Sequence, residues 1–132
     1  MSALVGTWNF HSQENLDGYM KAIGVPEEMR EVAKKSKPLL EITKDASDQF
    51  MIRTTVGDKV KEYKFVIGVS FDHVSLTGQP MKSVVNLVGE KMVETQTLGD
   101  SNIVIERSVE GDQLQSRMTA NDVTACVTFS RA

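Results

Sequence analysis

Residues 6–25 read GTWNFHSQENLDGYMKAIGV, and this stretch decides how the rest of the chain is interpreted. It begins as a short strand with the aromatic residues Trp8 and Phe10 and passes at once into a short amphipathic helix, expected over about residues 15–23. Gly24 then stops the helix, because glycine readily adopts the left-handed conformation that ends helices. Since nearly everything after residue 38 has the pattern of strands, the early helical insert predicts a barrel with a lid.

A second helix is predicted directly after the first. Pro26 suits a first helical position, where its missing amide proton is harmless, and Pro38 forbids further helix. The two helices together cover about residues 15–36 and are too small to bury a core of their own. The cap must therefore pack on the strands, and it offers a short apolar face made of Met29, Val32 and Ala33.

Period-two alternation bounded by turn residues predicts ten antiparallel strands. Several of the separating turns contain glycine, which permits the backbone of two-residue hairpins. Consecutive hairpins make an up-and-down meander, and closing the meander removes both exposed edges. We therefore predict an all-β fold, a ten-stranded antiparallel up-and-down β-barrel capped by a short helix-turn-helix, in one domain over residues 1–132. The predicted strands are 4–11, 39–44, 49–56, 59–66, 69–76, 80–88, 90–98, 101–108, 112–120 and 122–131.

The composition excludes several classes of function. The chain of 132 residues has a formal net charge of −3, so no global basic field favours nucleic acid. The start of the chain lacks the basic and apolar regions of a signal peptide, and no run approaches the roughly 20 apolar residues of a membrane helix. Cys126 is the one cysteine and permits no internal disulfide, while His11 and His73 lack metal-site spacing and are expected on the surface or rim. These features predict a soluble, unsecreted, cytoplasmic protein without a bound metal or other cofactor.

The alternation also assigns one face of each strand to the barrel interior. Hydroxyl side chains occur on this face, among them Thr54, Ser83 and Ser116, where a packed small barrel would place large branched residues. They suggest room and water inside, although serines bonded to the backbone are also ordinary in packed cores. The predicted inward residues are Leu40, Ile42, Phe50, Ile52, Thr54, Val56, Tyr63, Phe65, Ile67, Met81, Ser83, Val85, Leu87, Leu114, Ser116, Met118, Val123, Ala125, Val127 and Phe129.

Arg107 is the most informative single residue, because it lies in phase with the inward Ile103 and Ile105. An unpaired buried charge is costly, so the guanidinium must meet a carboxylate or be heavily hydrated. Periodicity alone also allows Arg107 to reach solvent from a strand end or to form a structural ion pair. The neighbouring strand is ambiguous in phase, and its inward set is either Lys91, Val93, Thr95 and Thr97 or Met92, Glu94, Gln96 and Leu98.

The pattern Gly6-x-Trp8, followed by Asn15-x-Asp17-x-Tyr19-Met20-Lys21, resembles the N-terminal signature of the intracellular lipid-binding proteins, the fatty-acid-binding and cellular retinoid-binding family. Length and element order extend the resemblance over the whole chain. It implies a β-clam barrel whose floor is closed by the Gly-x-Trp segment. It also implies that Glu94 and Gln96 face the cavity and that Arg107 holds the ligand's head group, directly or through water.

The resemblance also implies a portal through which the ligand passes. We expect it between the helical cap and the 57–58 and 77–79 turns, where loops open more easily than barrel strands. Family members often place an aromatic residue at the first of these turns, whereas this chain has Gly57 and Asp58, which implies a looser or more polar gate. The predicted portal residues are Met29, Val32 and Asp58.

The last strand departs from the family pattern. Fatty-acid-binding members usually carry Arg-x-Tyr on its inward face, whereas this chain has Val127-Thr128-Phe129. A carboxylate ligand would meet Arg107 without those two partners. If Glu94 neutralises Arg107, neutral ligands such as alcohols, sterols or monoacylglycerols become better candidates. The sequence therefore leaves the charge of the ligand open.

The inward residues and the resemblance together predict a non-enzymatic intracellular carrier that binds and transports a long-chain fatty acid or a related lipid. Two alternatives stay open: a carrier of a neutral or differently charged lipid (retinoid, sterol or bile-acid-like), and a membrane-interaction protein that uses its lysine-bearing cap. An enzyme would need a nucleophile, a base and oxyanion donors, and no such set is legible. The expected partners are the ligand and, transiently, anionic membranes, for a monomer that also reaches the nucleus by diffusion. The predicted ligand-binding residues are Arg107, Gln96, Glu94, Phe129, Val127, Ser116, Met118, Thr54, Ser83 and Tyr63.

Overall fold

The computed structural model describes residues 4–35, 37–56, 59–74, 79–99 and 101–132. Two helices follow the first strand, and the other strands follow the helices. The helices are α1 (Leu16–Ala22) and α2 (Glu27–Lys35). The strands are β1 (Gly6–Glu14), β2 (Leu39–Lys44), β3 (Gln49–Val56), β4 (Lys59–Val66), β5 (Phe71–Val74), β6 (Pro80–Val88), β7 (Lys91–Leu98), β8 (Ser101–Glu110), β9 (Gln113–Ala120) and β10 (Val123–Arg131).

The strands form a nearly closed antiparallel barrel. Their order in the sheet is β4-β3-β2-β1-β10-β9-β8-β7-β6-β5, so the first and last strands pair with each other. Along the described parts of β4 and β5 the backbones are not hydrogen-bonded to each other, and aromatic side chains span the gap. Phe71 stacks on Phe65 at 5.6 Å between ring centroids and on Tyr63 at 5.7 Å. The predicted ten-stranded antiparallel barrel with two helices is confirmed.

The first strand runs later in the chain than the predicted range of 4–11. Leu4 lies in a turn, and its carbonyl accepts the Trp8 indole N–H at 2.9 Å, so regular strand begins only at Gly6. A β-bulge between Phe10 and Ser12 then keeps the strand paired with β10 as far as Glu14.

The fifth strand is shorter than the predicted range of 69–76. Gly68 adopts a φ of 81° and donates its N–H to the Val85 carbonyl at 2.8 Å, which holds the chain in a turn before β5. Residues 75 and 76 lie outside the described residues. The bounds of the other eight strands agree with prediction to within two residues.

The helical cap covers one end of the barrel. The first helix is one residue shorter at each end than predicted, because Asn15 has a left-handed φ of 57° and Ile23 already leaves helical geometry with ψ of 8°. Gly24 follows with a φ of 84°, as expected for a glycine that ends a helix. Asn121, in the turn between β9 and β10, donates a side-chain hydrogen bond to the Ala22 carbonyl at 3.1 Å and fixes α1 to the rim.

Arg30 and Lys34 fasten the two helices to each other. Arg30 Nε lies 3.1 Å from Asp17 Oδ1, and Arg30 Nη1 donates to the Val25 carbonyl at 2.7 Å. Lys34 Nζ lies 3.4 Å from Asp17 Oδ1 and 3.1 Å from Glu31 Oε1. The cap is thus one unit, and neither of its helices, nor any other in the described part of the chain, is long and apolar enough to cross a bilayer.

Two clusters of buried apolar side chains lie inside the barrel, and polar side chains lie between them along β6–β9. The floor cluster includes Trp8, which is 0 % exposed and lies near the start of β1, whereas the cap follows the other end of that strand. The cap cluster joins Tyr19 and Met20 of α1 to the strand ends below them. The buried polar residues are Ser83, Glu94, Gln96, Arg107 and Ser116.

The predicted inward residues are buried or half-buried with one exception. Leu87 is wrong: its side chain is 45 % exposed. It lies next to the end of β6, beyond Val85, the last buried position of that strand, so the alternation continues past the part of the barrel that has a packed interior.

Candidate functional site

Arg107 and Glu94 form a buried ion pair between the two apolar clusters. Arg107 Nη1 donates to Glu94 Oε1 at 2.8 Å, and the two residues are 7 % and 0 % exposed. Tyr63 donates its hydroxyl to the same carboxylate oxygen at 2.8 Å, and Gln96 Nε2 donates to Glu94 Oε2. Arg107 Nη2 lies 3.5 Å from the Tyr63 hydroxyl oxygen. We call Arg107, Glu94, Gln96 and Tyr63 the Arg107 cluster.

Three strands bring the Arg107 cluster together. Glu94 and Gln96 are alternate residues of β7, and Arg107 lies on the neighbouring β8, opposite Met92. Tyr63 reaches the carboxylate from β4, on the far side of the gap. The ambiguous phase of the predicted strand 90–98 is thereby settled, and the expected inward set is confirmed, since Met92, Glu94, Gln96 and Leu98 are all buried.

The carboxylate of Glu94 is held in its ionised form. Burial alone raises its pKa, but attraction to the Arg107 guanidinium and hydrogen bonds from Arg107, Gln96 and Tyr63 lower it by more, so the pKa lies below the ordinary glutamate value. Burial raises the pKa of Tyr63, so its side chain is a neutral phenol whose O–H donates a hydrogen bond to Glu94. The Arg107 cluster contains one positive and one negative charge and is neutral as a whole.

His73 is half-buried near the end of β5 and its side chain turns towards the barrel interior, so the expectation of a surface position is wrong, while the alternative of a rim position is not contradicted. Its Nε2 lies 2.6 Å from the Ser83 hydroxyl, and its ring centroid lies 4.8 Å from that of Tyr63. The reason is that His73 shares its phase on the short β5 with Phe71, whose ring stacks across the gap. Among the described residues, no three His, Cys, Asp or Glu side chains are grouped as a metal site.

Two buried polar atoms have no hydrogen-bond partner among the described residues. They are Arg107 Nε, in the Arg107 cluster, and His73 Nδ1. Buried polar atoms normally find a partner in the protein, in water or in a ligand. Both atoms belong to side chains that touch Tyr63. The interior therefore offers unused hydrogen-bonding capacity at Arg107 Nε and at His73 Nδ1.

Lys61 and Tyr19 are interior residues that the sequence analysis missed. Burial lowers the pKa of Lys61, and attraction to Glu94 opposes the shift. Burial, followed by the charge of Glu94, raises the pKa of Tyr19 to about 12. Lys61 could have been found, because it alternates with the inward Tyr63 and Phe65.

The other predicted ligand-binding residues also lie on the inner face. Ser116 is buried on β9, opposite Arg107 on one side and Val127 on the other. Val127 and Phe129 are buried in the floor cluster and present only hydrocarbon there. Ser83 is buried, whereas Thr54 and Met118 are half-buried. Their roles in binding stay predictions.

The expected portal is only partly described. Met29 packs against the cap cluster, whereas Val32 is 56 % exposed on α2. Asp58, like the rest of the 57–58 turn, lies outside the described residues, as do residues 77 and 78 of the second turn. The portal therefore stays a prediction.

We expect His73 to make the protein less stable as the pH falls. Burial, followed by repulsion from Lys61, lowers the pKa of His73, and the charges of Glu94 and Asp72 oppose this by less. The unfolded chain therefore takes up the proton first, at about pH 6.5, so stability present above that pH is lost as the pH falls towards the folded pKa. Urea denaturation from pH 8 to pH 5 should show a fall in the free energy of unfolding that is smaller in His73→Gln.

The matched control for this titration is His11→Gln, since His11 is exposed on β1 and contacts the neighbouring Ser12. As a substitution of an exposed side chain, it should change the free energy of unfolding by no more than about 0.5 kcal/mol. The same pH dependence in native protein and His73→Gln would contradict the assignment.

Residues 2–126 match a model of the lipocalin / cytosolic fatty-acid binding protein family. The sodium/calcium exchanger regulatory protein 1 of Doryteuthis pealeii is 32% identical over 128 residues, which cover 97% of this chain and 96% of the relative. The crystal structure of fatty-acid-binding protein 1 of Echinococcus granulosus has a TM-score of 0.96 at 26% identity and covers 100% of this chain and 99% of its own. A fatty acid binding protein of Schistosoma mansoni in complex with arachidonic acid has a TM-score of 0.94 at 31% identity, covering 100% and 98%. The chain belongs to the lipocalin / cytosolic fatty-acid binding protein family.

Proposed function

We propose that residues 1–132 act as a single lipid-binding domain, a non-enzymatic carrier that holds a long-chain fatty acid or a related lipid inside the barrel. The observation that carries this proposal is the Arg107 cluster, a buried polar group between two apolar clusters, next to two polar atoms without a partner among the described residues. Family membership supports it, and so does the arachidonic acid bound by the relative from Schistosoma mansoni.

The hydrocarbon supplies most of the binding free energy in this proposal. Each buried methylene contributes about 0.8 kcal/mol, so some ten of them approach the scale of a micromolar dissociation constant. The polar end lies at the Arg107 cluster with Ser116 and Ser83 beside it. Thr54, Met118, Val127 and Phe129 line the path of the chain, and the flexible thioether of Met118 adapts to its shape.

We expect affinity to rise steeply with the length of the ligand. In a series of primary alcohols from ten to sixteen carbons, each added methylene should tighten binding about fourfold until the interior is full. Displacement of diphenylhexatriene, an uncharged hydrophobic fluorophore, measures the series. Affinity that does not change with chain length would contradict binding of the hydrocarbon in the barrel.

The cytosolic description of the family supports a cytoplasmic location. In this proposal the protein is a monomer that also reaches the nucleus by diffusion and needs no cofactor. In this proposal the ligand passes a portal beside Met29, Val32 and Asp58, and the cap touches anionic membranes during transfer. Support for the membrane contact comes from the exposed lysines of the cap, Lys21, Lys35 and Lys37. Lys34 is exposed too but is occupied by Asp17 and Glu31.

Charge reversal on the cap should slow transfer of the ligand to anionic vesicles. Lys35→Glu with Lys37→Glu removes two favourable charges, each worth about 1 kcal/mol near an anionic surface at low salt. Stopped-flow transfer of a fluorescent lipid to phosphatidylserine vesicles should slow about tenfold or more, while equilibrium binding stays nearly unchanged. The matched control is Lys91→Glu, because Lys91 is exposed at the start of β7, away from the cap. A transfer rate that changes neither with the double substitution nor with the salt concentration would contradict the proposed membrane contact.

A further inference from the structure

The Arg107 cluster already contains a carboxylate of its own. Glu94 receives donors from Arg107, Tyr63 and Gln96, which come from three strands. A ligand carboxylate that joined the cluster would add a second negative charge beside a single positive one in a buried site. Expelling Glu94 instead would break all three hydrogen bonds and leave its charge without a partner.

The described positions next to Arg107 on β9 and β10 supply no charged donor for a ligand carboxylate. Val127 lies opposite Ser116, which in turn lies opposite Arg107, so the three side chains share one row across β8, β9 and β10. Both Val127 and Phe129 on β10 are buried and apolar. The only donor in this row besides Arg107 is the uncharged hydroxyl of Ser116.

The interior can still bind an uncharged ligand group through hydrogen bonds. Arg107 Nε carries an N–H without a partner among the described residues, and His73 Nδ1 has no partner among them either. From this geometry we propose that the ligand has an uncharged oxygen head group, as in a long-chain alcohol, monoacylglycerol or primary amide, with its oxygen accepting from Arg107 Nε. The inference rests on the proposed function, since it names the class of lipid that the same barrel carries.

Lys61 is the competing site for a carboxylate. It is half-buried two residues before Tyr63 on β4, and it is a cation outside the ion pair. The Glu94 carboxylate attracts the Lys61 ammonium group and so balances part of its charge. An experiment on head-group charge must therefore separate Lys61 from Arg107.

Matched sixteen-carbon ligands test the inference. Hexadecanol, hexadecanamide, monohexadecanoylglycerol and hexadecanoic acid displace diphenylhexatriene from the native protein at pH 8, where the acid in solution is ionised. We expect the three uncharged ligands to bind at least tenfold more tightly than the acid. A smaller ratio overturns the inference but leaves the carrier intact, whereas displacement by none of the four overturns the proposed function as well.

Two single changes locate the effect. Glu94→Gln leaves the charge of Arg107 unopposed, so the preference should move at least tenfold towards the acid. Lys61→Met is the matched change of the other interior cation and should leave the ratio where it is. A ratio that moves with Lys61→Met and not with Glu94→Gln would place the acid at Lys61 and overturn the inference.

Val127→Arg with Phe129→Tyr gives a second route if Glu94→Gln does not fold. The new guanidinium and hydroxyl enter the same row while Glu94 and Arg107 stay in place. Charged hydrogen bonds are strong in a poorly solvated interior, so the preference should again move at least tenfold towards the acid. A folded double variant with an unchanged ratio would show that the head group lies elsewhere and overturn the inference.

Discussion

Arg107→Ala is expected to lower the free energy of unfolding by about 3–5 kcal/mol, because it leaves the Glu94 carboxylate buried without a charge partner. Glu94 is fully buried and shares its oxygen atoms among three donors, of which Arg107 is the only charged one. The remaining bonds from Tyr63 and Gln96 cannot neutralise it. Urea denaturation at pH 7 measures the change.

The control for the buried pair is an exposed pair in the same barrel. Arg53 Nη2 lies 2.7 Å from Glu62 Oε2, and both side chains are more than a third exposed. Arg53→Ala should therefore cost no more than about 1 kcal/mol. If Arg107→Ala and Arg53→Ala destabilise the protein equally, the interior pair is not isolated from water as described.

Removing both charges of the buried pair should cost much less than removing one. Arg107→Met with Glu94→Leu replaces the pair by apolar side chains, and such replacements of buried pairs are often close to neutral. The double change should lie well below the sum of the single changes in a double-mutant cycle. Additive losses would show that Arg107 and Glu94 contribute independently.

Trp8→Ala should also lower the free energy of unfolding by about 3–5 kcal/mol, since it opens a large cavity in the floor cluster. Trp8 is fully buried, its indole N–H donates to the Leu4 carbonyl at 2.9 Å, and the Arg131 guanidinium lies 4.2 Å from its ring centroid. Both contacts lie near the start of β1, at the end of the barrel away from the cap.

Leu87→Ala is the control for Trp8→Ala, because Leu87 is an apolar residue that is 45 % exposed, whereas Trp8 is 0 % exposed. It should change the free energy of unfolding by no more than about 0.5 kcal/mol. A loss from Trp8→Ala as small as that from Leu87→Ala would contradict a packed floor.

The fold could be predicted because alternation and turns agree along most of the chain. Eight strands have eight or more residues, and many of the turns between strands contain glycine or aspartate. A shift of one residue in register would turn the apolar face of such a strand towards solvent. The predicted strand 69–76 shortens to the four residues of β5, in which Phe71 alone marks the inner phase that His73 shares, so the inward direction of His73 was missed. Leu87 shows the opposite error, since a regular pattern does not say where the packed interior ends.

The site could be predicted in its members but not in its contacts. Alternation puts Arg107 on the inner face, while the phase of Glu94 and Gln96 follows only from the family resemblance. No local pattern shows that Tyr63 reaches Glu94, because β4 and β7 are not neighbours in the sheet and meet only across the interior. Ion pairing inside a barrel depends on its closure, which the sequence does not specify residue by residue.

Native mass spectrometry of the freshly isolated protein, followed by extraction into organic solvent, tests the central claim most directly. A carrier should show a bound species whose mass, after extraction, is that of an intact single-chain lipid, and the emptied protein should take up the same lipid again without altering it. Protein that carries no lipid and takes up none of the sixteen-carbon ligands would contradict the account, as would recovery of a chemically changed lipid.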